Sequence, residues 1–258
     1  MKVLDEVGRG TTGLFGYAGG VAELLADAVR YIVAFRIRAR ETLDQAYLLG
    51  VQSWPIVLLT SLFTGMVISL ESAVQAVSYG FGNLVGGAVA FATFRELGPM
   101  LSAVVVAGRT GAAIAAELGS MVVTEQIEAL LSLGLSPTRM LVVPRLVALV
   151  IMLPLLTVFA DIVSILGGMW VANIYAHISN ESFMASTRQA VGFGDVLRGL
   201  IKSVVFAVII AIVGAYQGLR TRGGAAGVGK STTGAVVIAI ILIFIFNFAL
   251  SYLIFGGS

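Results

Sequence analysis

Five apolar stretches, each long enough to cross a lipid bilayer, constrain this chain more than any other feature. They predict membrane-spanning helices at about 54–77, 99–119, 146–170, 200–219 and 235–255. A transmembrane helix needs about 20 apolar residues, whereas an ordinary soluble domain is about a quarter charged residues. Hydrophobic residues make up 58% of this chain and charged residues 12%. We therefore predict an all-α polytopic membrane protein with one transmembrane domain over 45–258.

The second apolar stretch is longer than one membrane crossing requires. As a single helix, residues 84–119 would measure about 54 Å, against a hydrocarbon core of about 30 Å. Pro99, preceded by Gly98, offers a natural break in a helix. We expect a half-length or re-entrant segment over 84–94 and a full span from Pro99 onwards. Small residues at four-residue spacing also predict a close-packing face on this span: Gly111, Ala115 and Gly119.

The first 44 residues are predicted to form an N-terminal tail and an amphipathic helix. Residues 1–20 are rich in glycine, and we expect them to be irregular. From Val21 onwards, apolar residues recur at helical spacing opposite charged ones, and the segment closes on Arg36, Arg38 and Arg40. This pattern is typical of a helix that lies in the membrane interface. A soluble helix packed against a core is the alternative.

The distribution of basic residues predicts the orientation of the chain in the membrane. Most lysines and arginines fall before the first span or in the loops that follow the second and fourth spans. Under the positive-inside rule these segments are cytoplasmic, so five spans leave the C-terminus on the periplasmic side. The net charge of +2 is small and does not indicate a nucleic-acid partner.

A short polar helix is predicted between the second and third spans, over 124–134. We expect Thr124 to cap its start, and Gly134 and Pro137 to end it. A loop that only reverses the chain needs no capped helix with an apolar stripe, so we expect this helix to dock on a partner in the cytoplasm. The residues expected to make that contact are Glu125, Gln126, Ile127, Glu128, Leu130 and Leu131.

Residues 224–231 match the phosphate-binding pattern G-x-x-x-x-G-K-S. A working loop of this type must connect a buried strand to a helix of a soluble α/β domain. Here the flanking segments are membrane-length apolar runs, so we interpret the match as fortuitous. We expect a flexible glycine-rich loop over 218–234, with Thr232 and Thr233 starting the last helix. The chain has no cysteine and one histidine, and we predict neither a catalytic site nor a metal site.

Charged residues inside predicted spans are the remaining candidates for function, because a charge at membrane depth is costly. They are Glu71 in the first span, Arg95 and Glu96 before the expected break, and Asp161 in the third span. Arg95 and Glu96 are expected either to contact substrate or to brace the break as an ion pair. Asp161 is expected to hydrogen-bond to Ser164 or to a neighbouring helix.

Eight short motifs, spread over about residues 45–255, resemble the MlaE/YrbE-type permeases of ABC transporters that move phospholipids in diderm bacteria, with relatives in the plastid envelope. The motifs are RELGP at 95–99, AGRTGAA at 107–113, AELGSM at 116–121, TEQIEAL at 124–130, PR at 144–145, LPLLT at 153–157, IKSVVF at 201–206 and STTGAVV at 231–237. Glu128 stands where many members carry Asp.

The resemblance implies partners and roles for particular residues. It implies a homodimer in the bacterial inner membrane, with two MlaF-type ATPase subunits that carry ATP and magnesium and an MlaD-type MCE-domain protein outside. The 124–134 helix would be the coupling helix to the ATPase. The transporter would maintain outer-membrane lipid asymmetry or move lipid between membranes, with a lipid cavity lined by Met66, Ile68, Glu71, Arg95 and Glu96.

A different class of function remains open from the residues themselves. An ATP-independent secondary transporter or channel could relay protons or ions through Glu71, Glu96 and Asp161. Such transporters commonly contain inverted repeats, and no convincing repeat is visible in this sequence.

Overall fold

The computed structural model describes residues 2–35 and 37–255, with side chains over 15–35 and 37–254, and no strand occurs among the described residues. The α-helices are α1 (Lys2–Val33), α2 (Ala39–Gln45), α3 (Trp54–Ser78), α4 (Val85–Ala92), α5 (Gly98–Val106), α6 (Ala112–Val123), α7 (Gln126–Ser132), α8 (Val143–Ala176), α9 (Asn180–Ala190), α10 (Phe193–Leu219) and α11 (Gly224–Phe255). The prediction of an all-α protein is confirmed.

Five helical segments are long and apolar enough to cross a membrane, as predicted. They are Ala39–Ser78, Gly82–Val123, Thr138–Ala176, Phe193–Leu219 and Gly224–Ile254. The first predicted span, 54–77, matches α3 closely, although the helical segment that contains it begins earlier, at Ala39. The other spans also extend beyond their predicted bounds, and α8 continues through Pro154 without interruption.

The predicted break in the second span is wrong, because the helix continues through Pro99. A π-helical turn over Thr93–Leu97 joins α4 to α5, and Gly98 keeps helical dihedral angles. Proline has no N–H to donate to the carbonyl of Arg95, four residues earlier, and this loss normally interrupts a helix. Here the Nζ atom of Lys202 donates to that carbonyl at 2.9 Å. The backbone oxygen is therefore satisfied inside the membrane, and the half-length segment is the first part of one continuous helix.

The expectation of an irregular N-terminal tail is also wrong. α1 begins at Lys2 and includes the glycine-rich stretch as far as it is described, over 2–20. Gly20 explains part of this result, since a Cβ at that position would collide with the ring of Tyr216 on α10. Close packing against α10 offsets the entropic cost of glycine in a helix.

One face of α1 packs on the rest of the chain. Val29 and Phe35, two of the apolar residues that follow Val21, are instead exposed, and Arg36 lies outside the described residues. The helix is confirmed, whereas its position in the membrane interface stays a prediction. The residues that pack against the main core are Val21, Leu24, Leu25, Ala28 and Ile32.

The small-residue face of the second span packs on α10, as predicted. Cβ atoms built on Gly214 and Gly218 would lie 3.2 Å from the carbonyl oxygen of Gly111 and 3.0 Å from that of Ala115. The two backbones can approach this closely only because side chains are missing at the contact. This contact fixes α10 against the half of the second span that leads to α7.

A helix that the sequence analysis missed, α9, packs against α4 at the end of the molecule opposite α7. The hydroxyl of Thr187 donates to the carbonyl of Gly86 at 3.0 Å, and the amide of Gly87 donates to the hydroxyl of Ser186 at 3.1 Å. Phe183 is fully buried beneath this contact. The glycine pair therefore lets α9 hold the start of the second span.

The segment that resembles a phosphate-binding loop is helical. α11 begins at Gly224, so the predicted loop over 218–234 shrinks to a short turn in which Gly223 and Gly224 have φ of +87° and +64°. Thr232 and Thr233 do not start the helix, because their hydroxyls donate to carbonyls one turn earlier within it. The amides of residues 228–231 are used by the helix and cannot cradle a phosphate.

Candidate functional site

A group of charged and polar side chains joins the second span to α10 and α11, toward the end of the molecule opposite α7. We refer to it as the charge cluster. Its members are Arg95, Glu96, Asp195, Lys202, Asn247 and Ser251.

Lys202 is the buried centre of the charge cluster, since its side chain is 0% exposed. Its Nζ atom donates to the carbonyl of Arg95 at 2.9 Å, to Oε1 of Glu96 at 2.8 Å and to the hydroxyl of Ser251 at 2.7 Å. An ammonium group has three hydrogens to donate, so these acceptors match its capacity. A buried charge is tolerated when it is paired and fully hydrogen-bonded in this way.

Glu96 receives donors from two spans at once. Besides Lys202 on α10, the Asn247 amide donates to its Oε2 at 2.9 Å, and the Ser251 hydroxyl lies 2.8 Å from its Oε1. Asn247 and Ser251 lie one turn apart on α11, so both face the same carboxylate. Glu96 therefore connects three spans through one side chain.

Arg95 forms the outer part of the charge cluster. Its Nε and one terminal nitrogen contact the same oxygen of Asp195 at 2.9 and 2.7 Å, and its guanidinium stacks on the ring of Phe91 at 3.9 Å. The second oxygen of Asp195 accepts the amide of Gly192 at 3.0 Å and so caps the start of α10. The Arg95 side chain keeps 22% of its surface exposed, and that of Asp195 keeps 13%.

The structure places the other predicted site residues outside the charge cluster. Met66 and Ile68 are half-buried on α3, where Met66 lies against Gly167 of α8 and Ile68 packs on a small apolar core. Glu71 is exposed on the same helix. Their predicted role in lining a lipid cavity stays a prediction.

Asp161 is buried on α8 with 3% exposure. Its Oδ1 atom lies against Gly98 and has no hydrogen-bond partner within the described part of the chain. The expected hydrogen bond to Ser164 is not formed, because the carboxylate turns toward the second span instead.

The predicted docking helix is present as α7, with different bounds and a different start. Thr124 does not cap it, because its hydroxyl donates backwards to the carbonyl of Ser120 at 2.9 Å. Glu125 precedes the helix with a φ of 60°, a left-handed conformation that residues other than glycine rarely adopt. The end matches the prediction: Gly134 has a φ of 72° and forms a Schellman motif, in which the amide of Leu135 donates to the carbonyl of Leu130 at 3.0 Å.

α7 presents most of its surface to the surroundings, and none of its residues is buried. Glu125, Gln126 and Glu128 are exposed, as are Leu131 and, beyond the helix end, Leu133 (58% and 73%). Exposed leucines beside carboxylates are typical of a surface that another protein covers. Ile127 and Leu130 are half-buried and anchor the helix.

An ion pair beside α7 links two spans, α6 and α8. The guanidinium of Arg145 at the base of α8 contacts Glu117 of α6 at 2.7 Å and donates to the carbonyl of Leu141 at 2.6 Å. The Arg145 side chain is only 4% exposed and, with Glu117, lines a groove of about 420 Å³ beside α7. Gln126 and Leu130 line the same groove, so α7 lies next to the ion pair.

Several residues of these sites were missed by the sequence analysis. Lys202 and Asn247 carried a usable signal, because each is a polar residue inside an otherwise apolar span. Asp195 carried none, since charges near span ends are common. Glu117 and Arg145 lie within two of the eight motifs, but nothing in the sequence indicates that they pair.

Comparisons with known proteins place these features in a family. A family model described as Permease MlaE matches residues 42–253. A probable ABC transporter permease protein of Synechocystis is 45% identical over 91% of this chain and 89% of its own length, and one of Rickettsia typhi is 35% identical over 99% and 98%. The chloroplastic protein TRIGALACTOSYLDIACYLGLYCEROL 1 of Arabidopsis thaliana is 38% identical over 91% of this chain and 67% of its own length. The chain therefore belongs to the MlaE permease family.

Proposed function

We propose that the chain is the membrane permease subunit of an ATP-driven ABC transporter that moves phospholipid. The observation that carries this proposal is α7, an exposed helix that projects from the spans and contains no nucleotide site of its own. The names of the relatives support it, since two are probable ABC transporter permeases and the Arabidopsis protein is named after a glycerolipid. A separate ATPase subunit of the MlaF type would bind α7 and hydrolyse ATP.

The proposed orientation places α7 in the cytoplasm, the N-terminus on the same side and the C-terminus in the periplasm. Basic residues support it, because Arg139 and Arg145 lie beside α7 and Arg220, Arg222 and Lys230 lie around the turn before α11. The corresponding membrane is the bacterial inner membrane, with the plastid inner envelope as the alternative. An MlaD-type MCE-domain protein would then contact the periplasmic end.

The continuous second span provides a path for coupling. It runs from the residue pair at Arg95 and Glu96 to Val123, next to α7, over about 40 Å of helix. Closure of the ATPase subunits would move α7, which follows α6 after a two-residue turn, and so shift this helix as a rod. The charge cluster lies at its far half, where a change in the pairing of Glu96 would alter contacts between three spans.

Arg95 is the residue best suited to contact a phospholipid headgroup. Its guanidinium is paired with Asp195 in a side chain that is partly exposed, so a phosphate could replace Asp195 as the anionic partner. We further propose that two copies of the chain assemble through α11, which buries a smaller share of its residues within the chain than the other spans do. Such a dimer could maintain outer-membrane lipid asymmetry or move lipid between membranes.

A secondary transporter that relays ions through three carboxylates is less well supported. Glu96 is paired with Lys202, and Glu71 is exposed on α3. Asp161 lies on α8 with its carboxylate against Gly98 of α5. Among the described residues, no hydrogen bond joins any two of these three side chains. A relay of protons or ions needs a connected path between them.

Charge reversal at α7 tests the proposal. Glu128→Lys should abolish co-purification of the ATPase with the tagged chain, because it reverses the charge on the exposed face of the docking helix. Glu181→Lys, on exposed α9 at the opposite end, is the matched control and should leave co-purification unchanged. If the ATPase is retained equally by both variants, α7 is not the coupling element.

A further inference from the structure

An apolar slot of about 760 Å³ opens between α1, α10 and α11. It lies two to three turns along α10 from Lys202 toward the α7 end, so it is separate from the charge cluster. Aliphatic side chains line it, including Val21 and Leu25 of α1, Ile209 and Ile212 of α10, and Ile241 and Ile245 of α11. Two of its three walls are membrane spans, so the slot faces the hydrocarbon of the bilayer.

The end of the slot nearest the start of α1 is polar. The rings of Tyr17 and Tyr216 meet edge to face at 5.0 Å between centroids, and the Gln217 amide donates to the Tyr17 hydroxyl at 3.2 Å. Burial raises the pKa of the Tyr17 phenol above its ordinary value, so this hydroxyl stays protonated at neutral pH. The exposed guanidinium of Arg220 donates to the Tyr216 hydroxyl at 2.5 Å, so a cation lies one side chain beyond Tyr17, which lines the slot.

The two halves of this site have the polarity of a phospholipid. Water does not occupy an apolar slot stably, because a buried water needs two to four polar partners and aliphatic walls supply none. An acyl chain is apolar and would cover the aliphatic walls of the slot. A phosphate would accept hydrogen bonds from the Arg220 guanidinium and the phenol hydroxyls at the polar end. The surrounding bilayer supplies such molecules in large excess.

We propose that the slot binds one phospholipid of the surrounding bilayer, with an acyl chain between α1, α10 and α11 and the phosphate at Arg220. The bound lipid holds α1 against the two spans. Because α1 also packs against the turn over Thr138–Val142 at the base of α8, occupancy of the slot positions the region beside α7. This binding requires only that the spans cross a bilayer, so it stands or falls separately from the proposed transport.

The test uses the full-length chain in nanodiscs that contain a phospholipid with a photoreactive diazirine in one acyl chain. After irradiation, labelled peptides are identified by mass spectrometry. We expect the label to concentrate on the α1, α10 and α11 residues that face the slot, and ordinary phospholipid to compete for it.

Matched substitutions distinguish the slot from general contact with lipid. Ala22→Phe fills the slot with a ring and should lower labelling of Ile241 and Ile245 at least about tenfold, because the occupied volume is no longer available. Ala26→Phe, one turn further along α1 and outside the slot, should leave labelling unchanged. Ala18→Phe, which also lines the slot, serves as a second filling variant if Ala22→Phe does not yield monodisperse protein.

Charge substitutions test the headgroup half of the site. Arg220→Ala should weaken labelling by a factor of up to about five, the range expected from one exposed ion pair. Arg222→Ala, exposed and two residues further on, is the control and should have no effect.

Three results would overturn the proposal. A label as strong on the exposed faces of α3 and α8 as in the slot, or a label that persists in both filling variants, would show that the slot contacts lipid no more specifically than the rest of the surface does. Cross-links from slot residues to a second copy of the chain would assign the slot to the dimer interface. Competition by soluble glycerophosphate as strong as that by phospholipid would leave a phosphate site without an acyl chain.

Discussion

At the scale of single residues, Lys202 explains how a proline and a glutamate coexist inside one span. Its ammonium satisfies the carbonyl that Pro99 leaves free and neutralises the carboxylate of Glu96. The sequence identified Glu96 and Pro99 individually. It could not identify their common partner, because Lys202 lies 106 residues further along and only tertiary packing brings it close.

Removal of Lys202 should therefore be costly. Lys202→Met should lower the free energy of unfolding by about 3 kcal/mol, since it leaves the Glu96 carboxylate without its counter-charge inside the membrane. In the double variant with Glu96→Gln, much of this loss should be recovered, because no unpaired charge remains. Denaturant unfolding of the unmodified chain, the two single variants and the double variant, all in one detergent, measures the interaction energy of the two side chains. If the losses of the two single variants simply add in the double variant, the side chains do not interact.

Gly98 is a second residue whose role depends on a distant partner. A Cβ at this position would collide with Oδ1 of Asp161, so Gly98→Ala should lower the unfolding temperature by several degrees. The added Asp161→Ala removes the colliding carboxylate and should restore most of the loss. Gly108→Ala, in the same span with no atom within 4 Å of its Cβ, is the control and should be neutral or stabilising. A rescue that fails would place the strain elsewhere.

At the scale of elements, the spans were predictable and their ends were not. Hydropathy locates a span because burial in lipid requires about 20 apolar residues, and this requirement is visible in the sequence. The continuity of the second span and the helical start of α11 depend on contacts with other helices. A proline and a run of glycines are local signals for breaks, and in both places tertiary contacts outweigh them.

α7 shows the same division between local and tertiary information. Its end was predictable, because Gly134 supplies the positive φ that a Schellman motif needs. Its start was not, since a left-handed Glu125 is disfavoured locally and is held by the chain that enters from α6.

The left-handed conformation of Glu125 gives a direct test. Glu125→Gly should raise the free energy of unfolding by up to about 1 kcal/mol, because glycine adopts this conformation without steric cost. Glu128→Gly, three residues further on and within the helix, should have the opposite sign and a similar size. Both values are measured on the chain alone in detergent. A loss at both positions would indicate that Glu125 makes contacts worth more than its strain.

At the scale of the whole molecule, the second span connects α7 to the charge cluster and to the other spans. It packs on α10 through small residues and carries α7 at one end. The sequence predicted the class of protein, the number of spans and a short helix between the second and third spans, whose docking role stays a prediction. The charge cluster and the slot beneath α1 required the structure, because their residues come from helices far apart in the chain.

Reconstitution tests the central claim, that this chain moves phospholipid with energy received through α7 from a separate ATPase. Proteoliposomes would contain the chain and the ATPase subunit, and transfer of a fluorescent phospholipid between donor and acceptor membranes would be followed with and without ATP. We predict transfer that requires ATP and both chains, and that falls to background with Glu128→Lys while Glu181→Lys retains it. Transfer by the chain alone at the same rate, or ATP-dependent transfer that Glu128→Lys leaves intact, would contradict the account.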